Sequence, residues 1–140
     1  MIVTHPTKVP TVLSRVSFEE LYVAAQLVWA DKKTAKEIAI SSHAILDQVH
    51  KRKPNFYSGR RATALVSGLF YLLSFRFDSV KKQNELASKL GTTDVTIRAS
   101  YRKWLIAFPD LFVDVIGKFA QDNSLKYFVL VDLKREPELH

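Results

Sequence analysis

Apolar residues recur along most of this chain with the period of an α-helix. Leu21, Ala24, Ala25, Val28 and Trp29 fall at i, i+3, i+4, i+7 and i+8, one face of a helix. Ahead of them, Ser17-Phe18-Glu19-Glu20 has the form of a capping box, in which the Ser17 hydroxyl and the Glu20 carboxylate each serve an orphan backbone N–H. The pattern predicts helices over 17–31, 34–52, 61–76, 82–90 and 94–107. The second carries a broader stripe: Ile38, Ala39, His43, Ile45, Leu46 and Val49. After it, Lys53-Pro54-Asn55-Phe56-Tyr57-Ser58-Gly59 reads as a loop on its turn residues. The third helix is apolar on nearly every side, as a helix is when other helices surround it. Leu65, Leu69, Leu72 and Leu73 are therefore expected to be closed to solvent.

The two ends read differently. Residues 1–16 contain Pro6 and Pro10 and suggest an extended arm. Residues 111–120 carry a weaker helical pattern. Tyr127-Phe128-Val129-Leu130-Val131 is rich in β-formers and suits a short strand or an extended docking segment. The expected architecture is a single all-α domain over 17–108, with 109–140 as a C-terminal extension through which two copies could associate. Four glycines and five prolines leave little material for an all-β chain.

Composition narrows the function classes. The 140 residues suit one ordinary domain, and 47% apolar content is enough to fill its core. There is no cysteine, which removes disulfide scaffolds, thiol catalysis and zinc fingers or ribbons, and fits a reducing intracellular compartment. No signal peptide is visible at Met1-Ile2-Val3-Thr4-His5-Pro6, and the longest uncharged stretch, 62–75, is too short to span a bilayer. The net charge of +7 is unevenly spread: 0 over 1–50, +9 over 51–103 and −2 over 104–140. A strongly basic middle between neutral and acidic ends points to a polyanion partner.

The chemistry-bearing unit lies inside that basic segment. Two predicted helices joined by about three residues, with small Ala87 midway through the first and Gly91 at its end, give the pattern of a helix-turn-helix. Leu86, Ala87 and Leu90 point inward from the first helix, and Ile97, Tyr101, Trp104, Leu105 and Phe108 from the second. Val95, Arg98 and Arg102 fall on the second helix's outer face. An exposed Val beside two guanidinium groups suits a major groove. Val can touch a thymine methyl there, and Arg can pair with guanine O6 and N7. Lys51, Lys53, Arg60, Arg61, Lys82, Lys89, Thr93 and Lys103 are the candidates for phosphate contacts.

These residues also carry a family likeness. Gln83-x-Glu85-Leu86-Ala87, then Gly91-x-x-Asp94-Val95-Thr96-Ile97-Arg98-x-Ser100-Tyr101-Arg102, closely resembles the last two helices of the second cyclin-like repeat in transcription factor IIB and archaeal transcription factor B. The likeness continues into Phe108-Pro109-Asp110-Leu111-Phe112 and extends more loosely back to Ser58-Gly59-Arg60 and the Tyr71 helix. It covers about 17–112 and is strong over the last third of that span. The resemblance implies a five-helix cyclin-like domain whose final helix enters the major groove beside a TATA box, with Val95 and Arg98 reading bases. It implies promoter DNA and TATA-binding protein as partners, and a place in the nucleoid of an archaeal-type cell or in a eukaryotic nucleus. Lys82 stands where the family has a capping Thr, and Thr92-Thr93 replace a more apolar corner. Only one repeat fits, and without cysteine there is no zinc ribbon to engage RNA polymerase.

Other constellations carry less. His43, Asp47 and His50 share helical spacing, but no fourth metal ligand or outer shell is evident, and they read as surface residues. No catalytic pair, nucleophile elbow, phosphate loop or dinucleotide fingerprint appears, so neither an enzyme nor a cofactor is expected. Lys51-Arg52-Lys53 and Arg60-Arg61 bracket Phe56 and Tyr57, with the charges suited to phosphate and the rings to the core. The competing reading, from another class, is a cyclin box that docks a protein instead of DNA.

Overall fold

In the computed structural model, which describes residues 16–57 and 61–119, the chain is all-α. Six α-helices are present among the described residues, and no strand. They are α1 (Phe18–Val28), α2 (Lys32–Arg52), α3 (Ala62–Arg76), α4 (Gln83–Leu90), α5 (Asp94–Ala107) and α6 (Val113–Phe119). Single 3-10 turns, Pro54–Tyr57 and Pro109–Phe112, precede α3 and α6. The arm over 1–15, Ser58-Gly59-Arg60 and the β-rich segment over 125–133 lie outside the described residues.

Local signals set most of the helix ends. The Ser17 capping box is formed in both directions: Glu20 N–H donates to Ser17 Oγ at 3.2 Å, and Ser17 N–H to Glu20 Oε1 at 3.0 Å. The first helix stops at Val28, short of the expected 31, and the second starts at Lys32, ahead of the expected 34. Asp31 is the reason. Its carboxylate accepts from the N–H groups of Lys33 and Thr34 and from the Thr34 hydroxyl, which makes it the N-cap of α2 and not the tail of α1. Trp29 has left the helix, and its indole N–H donates to Ser79 O at 2.9 Å. At the end of α3, Asp78 takes the left-handed region at φ 53°, and Ser79 N–H reaches back to Ser74 O at 2.8 Å.

The third helix is the axle of the bundle. It packs against α2, α4, α5 and α6, while α1 closes over α2 and α4. Leu65, Leu69, Leu72 and Leu73 are closed to solvent as expected. The buried Ser67 and Ser74 hydroxyls do not break the apolar surroundings, because each donates to a carbonyl of its own helix, Ala64 O and Tyr71 O. Gly68 marks the crossing with α5. A Cβ built there would stand 2.7 Å from Tyr101 N and closer still to Ser100. The Trp104 indole N–H then ties the two helices together, donating to Leu65 O at 2.8 Å.

The core continues past Phe108. Phe112 and Val115 are fully buried, and α6 lies on α3. Bidentate pairs hold this segment down: Arg52 on Asp110 (2.9 and 3.2 Å) and Arg76 on Asp114 (2.8 and 2.9 Å). Lys118 donates to Phe75 O and to the Asp78 carboxylate. Among the described residues no helix is long and apolar enough to cross a membrane.

Candidate nucleic-acid interface

The α4–α5 corner is built by Gly91 and Thr93. Gly91 takes φ 71°, a left-handed conformation that favours glycine, and ends α4. Thr92 N–H returns to Ala87 O at 2.9 Å. Thr93 is the N-cap of α5: its hydroxyl accepts from Thr96 N–H at 3.1 Å and bonds the Thr96 hydroxyl at 3.0 Å. The polar corner therefore starts the second helix. Lys82, by contrast, caps α4 with no side-chain hydrogen bond, and its ammonium stays exposed. On the inner side Leu86, Ala87, Leu90, Ile97, Tyr101, Trp104, Leu105 and Phe108 are all buried.

The outer side of α5 holds the candidate readers. Val95, one residue into the helix, is 63% exposed, as Val113 (69%), Ile40 (53%) and Val80 (50%) are elsewhere, but Val95 alone of these lies in the groove between α3 and α5. Asp94 beside it turns back onto the helix end, accepting from Val95 N–H at 3.0 Å. Arg98 and Arg102 are half-buried, not fully outward. Arg98 reaches toward α4, its Nη1 donating to Gln83 Oε1 at 3.1 Å, and Arg102 approaches the Tyr101 hydroxyl. Burial pushes the Tyr101 hydroxyl above its ordinary pKa, against the neighbouring Arg102 charge and hydrogen bond, the Arg98 charge and a hydrogen bond from Gln83.

The first turns of α3 face the same surface. A groove of about 300 Å³ runs between α3 and α5, with Ala64, Leu65, Val95 and Ala99 in its walls and Arg61 and Lys103 on its rim. It adjoins a cleft of about 410 Å³ lined by Arg61, Thr63, Gly91, Thr92 and Thr96. The fold thus gathers Arg61, Thr96, Val95 and Lys103 into one patch, and brings Arg98 to Gln83 beside Lys82. Lys89 and Thr93 flank the corner, both exposed.

The basic run after α2 sits elsewhere. Lys51 pairs with Asp47 at 3.3 Å, and Arg52 is held by Asp110. The Lys53 ammonium lies 5.3 Å from the centre of the Phe108 ring. Phe108 caps the far end of α5, about 20 Å along the helix from Val95 at the usual rise per residue. Phe56 is buried, its ring 4.9 Å from Trp104 and 5.2 Å from Phe108, so it belongs to the core. Arg60 lies outside the described residues.

Charge pairing divides the cations into two populations. Arg52, Arg76 and Lys118 each face a carboxylate. Arg61, Lys82, Lys89 and Lys103 form no ion pair among the described residues, and neither do Lys32, Lys33 and Lys36 at the start of α2. His43 is exposed, and among the described residues no group of three or more His, Asp or Glu could hold a metal ion. Sequence reasoning did not single out Gln83 as a site residue, nor the groove beside Arg61. The only signal for Gln83 was its place in the family motif, and the groove depends on how α3 crosses α5. Compared with family models, with curated proteins and with solved structures, the chain shows no match.

Proposed function

We propose that this chain is a sequence-specific duplex-DNA-binding protein, in which α4 and α5 act as a helix-turn-helix within a cyclin-like domain of the transcription factor IIB type. It works in transcription initiation or its regulation and catalyses no reaction. The observation that carries the reading is Val95, 63% exposed at the start of α5 among cations that lack carboxylate partners. An exposed valine gains nothing in water, whereas a thymine methyl in the major groove matches it. Arg98, one turn on, can present a guanidinium fork to guanine. Arg61, Lys82, Lys89 and Lys103 supply sequence-independent attraction to phosphates. Val95, Arg98 and Arg102 are the base readers, and promoter DNA beside a TATA box is the expected target. With a single repeat, affinity is weak alone and rises when TATA-binding protein is supplied.

The test is a site selection on random duplexes, followed by titration of the selected and a scrambled site across a salt series. With about 4–6 phosphates neutralised, log K falls against log salt with a slope of about −4 to −5. Arg98→Ala should weaken the selected site by about 1–3 kcal/mol and leave scrambled DNA nearly untouched. Lys103→Ala should weaken both alike and make the slope shallower by about one unit. Equal loss on both duplexes for Arg98→Ala would reduce α5 to an electrostatic handle.

A second reading has one observation in its favour. The groove walls of Ala64, Leu65, Val95 and Ala99 are apolar and would suit a docked protein segment. Failure to retain any duplex at low salt would move the assignment to that docking function.

A further inference from the structure

Arg98 is not a free side chain waiting for DNA. Its Nη1 donates to the side-chain oxygen of Gln83, the first residue of α4, at 3.1 Å. Gln83 also lies beside the Tyr101 hydroxyl, which Arg102 approaches as well. Tyr101 is 1% exposed and wedged against Tyr71 of α3, with ring centres 5.2 Å apart. A chain of contacts therefore runs from the rigid core through Tyr101 to Gln83 and out to Arg98. The carbonyl end of the amide is the acceptor for the guanidinium.

We infer that Gln83 is a positioning residue for base recognition, an amide clamp that holds the Arg98 guanidinium in one orientation before DNA arrives. The inference rests on the DNA-binding reading of α5 and deepens it. An arginine loses the freedom of several rotatable bonds when it pairs with a base, and a side chain already held in place loses less on binding. The clamp must be neutral. A carboxylate at 83 would pair with Arg98 so strongly that it would compete with guanine, whereas an amide gives up its bond more cheaply. Gln83 need not touch DNA for this, since it acts through Arg98.

Gln83→Met keeps the length and the apolar stem but cannot accept from Arg98. Because no charge changes, the salt slope on scrambled DNA should stay as in the parent protein. The preference for the selected over the scrambled site should fall about 3- to 10-fold. Gln83→Glu should lose preference as well and also flatten the salt slope, since one cation is neutralised. A readout without DNA comes from NMR of the Arg98 side-chain N–H groups in the free protein. Slow solvent exchange and restricted motion in the parent should both be lost in Gln83→Met. Unchanged Arg98 dynamics in that variant would overturn the clamp, whatever DNA does. An unchanged site preference in Gln83→Met, while Arg98→Ala abolishes it, would overturn the positioning role and leave the DNA-binding reading standing. If Arg98→Ala itself leaves the preference intact, the base-reading role of α5 falls and the clamp's function falls with it.

Discussion

Replacing Gly68 by alanine tests the close approach of α3 and α5. In an isolated helix this exchange is favourable by about 1 kcal/mol, because glycine loses the most backbone freedom on folding. Here the added Cβ would stand 2.7 Å from the Tyr101 backbone nitrogen and closer still to Ser100. Comfortable non-bonded separations begin at about 3.5 Å, and Ser100 Cβ, fixed by the backbone, would stand at 2.5 Å, so α5 would have to retreat by about 1 Å. A rotamer change can move the Ser100 hydroxyl but not the Tyr101 backbone. That puts the strain near the top of the usual overpacking range, at about 3 kcal/mol. Less the propensity gain, the net loss is about 2 kcal/mol, a melting temperature lower by about 6–10 °C for a chain of this size. Urea and thermal unfolding followed by circular dichroism measure it. A double-mutant cycle with Ser100→Gly sharpens the test, because that change removes the Ser100 obstruction and leaves the Tyr101 one, so part of the loss should return but not all. A neutral or stabilising Gly68→Ala would refute the close crossing and the placement of α5 that depends on it.

Other outcomes follow from the site and the straps around it. Val95→Asp should leave stability within about 0.5 kcal/mol, since the position is exposed and a carboxylate suits a helix N-terminus; binding to the selected DNA should nonetheless fall at least about tenfold, measured by fluorescence anisotropy. Thr93→Ala should cost about 1 kcal/mol in urea unfolding by removing the α5 cap, and Thr93→Gly only a few tenths beyond the parent. Hydrogen bonding from Arg76 holds the Asp114 carboxyl below its ordinary value of about 3.9, so its stabilisation is complete above that pH and is lost as pH falls through the lowered folded value. Asp114→Asn should therefore be less stable than the parent at pH 7, with the gap closing below about pH 4 in a series of melts.

The periodicity of apolar residues foretold five of the six described helices, with a weaker pattern over 111–120 for the sixth, and the central burial of α3, because a helix surrounded by other helices must be apolar on every side. It misplaced the α1–α2 junction for a definable reason. Asp31 reads as the polar tail of one helix until its carboxylate is seen on the N–H groups of the next. The candidate site was legible where chemistry is local: Gly91 at a left-handed corner, and Val95 on the face of α5 opposite its buried stripe. It was illegible where partners come from afar. Arg52 and Arg76 look like two more cations of a basic segment, yet their carboxylates lie 58 and 38 residues downstream. Gly68 likewise gives no local sign that Ser100 will press against it.

If α5 binds duplex DNA as proposed, those distant carboxylates have a kinetic consequence. Arg76 stands about 20 Å from Arg61 along α3, more than two Debye lengths at physiological salt, where screening sets in over about 8 Å. A cation at that remove adds almost nothing to a complex formed through α5, but it would still pull on a duplex arriving from the wrong side. With Arg76 and Lys118 already matched to Asp114 and Asp78, such approaches find little to hold them. On that reading the unmatched Arg61, Lys82, Lys89 and Lys103 would act as a steering field, favouring approaches in which α5 leads. Productive collisions should be enriched over sterile ones, and association should slow steeply with added salt while dissociation changes less.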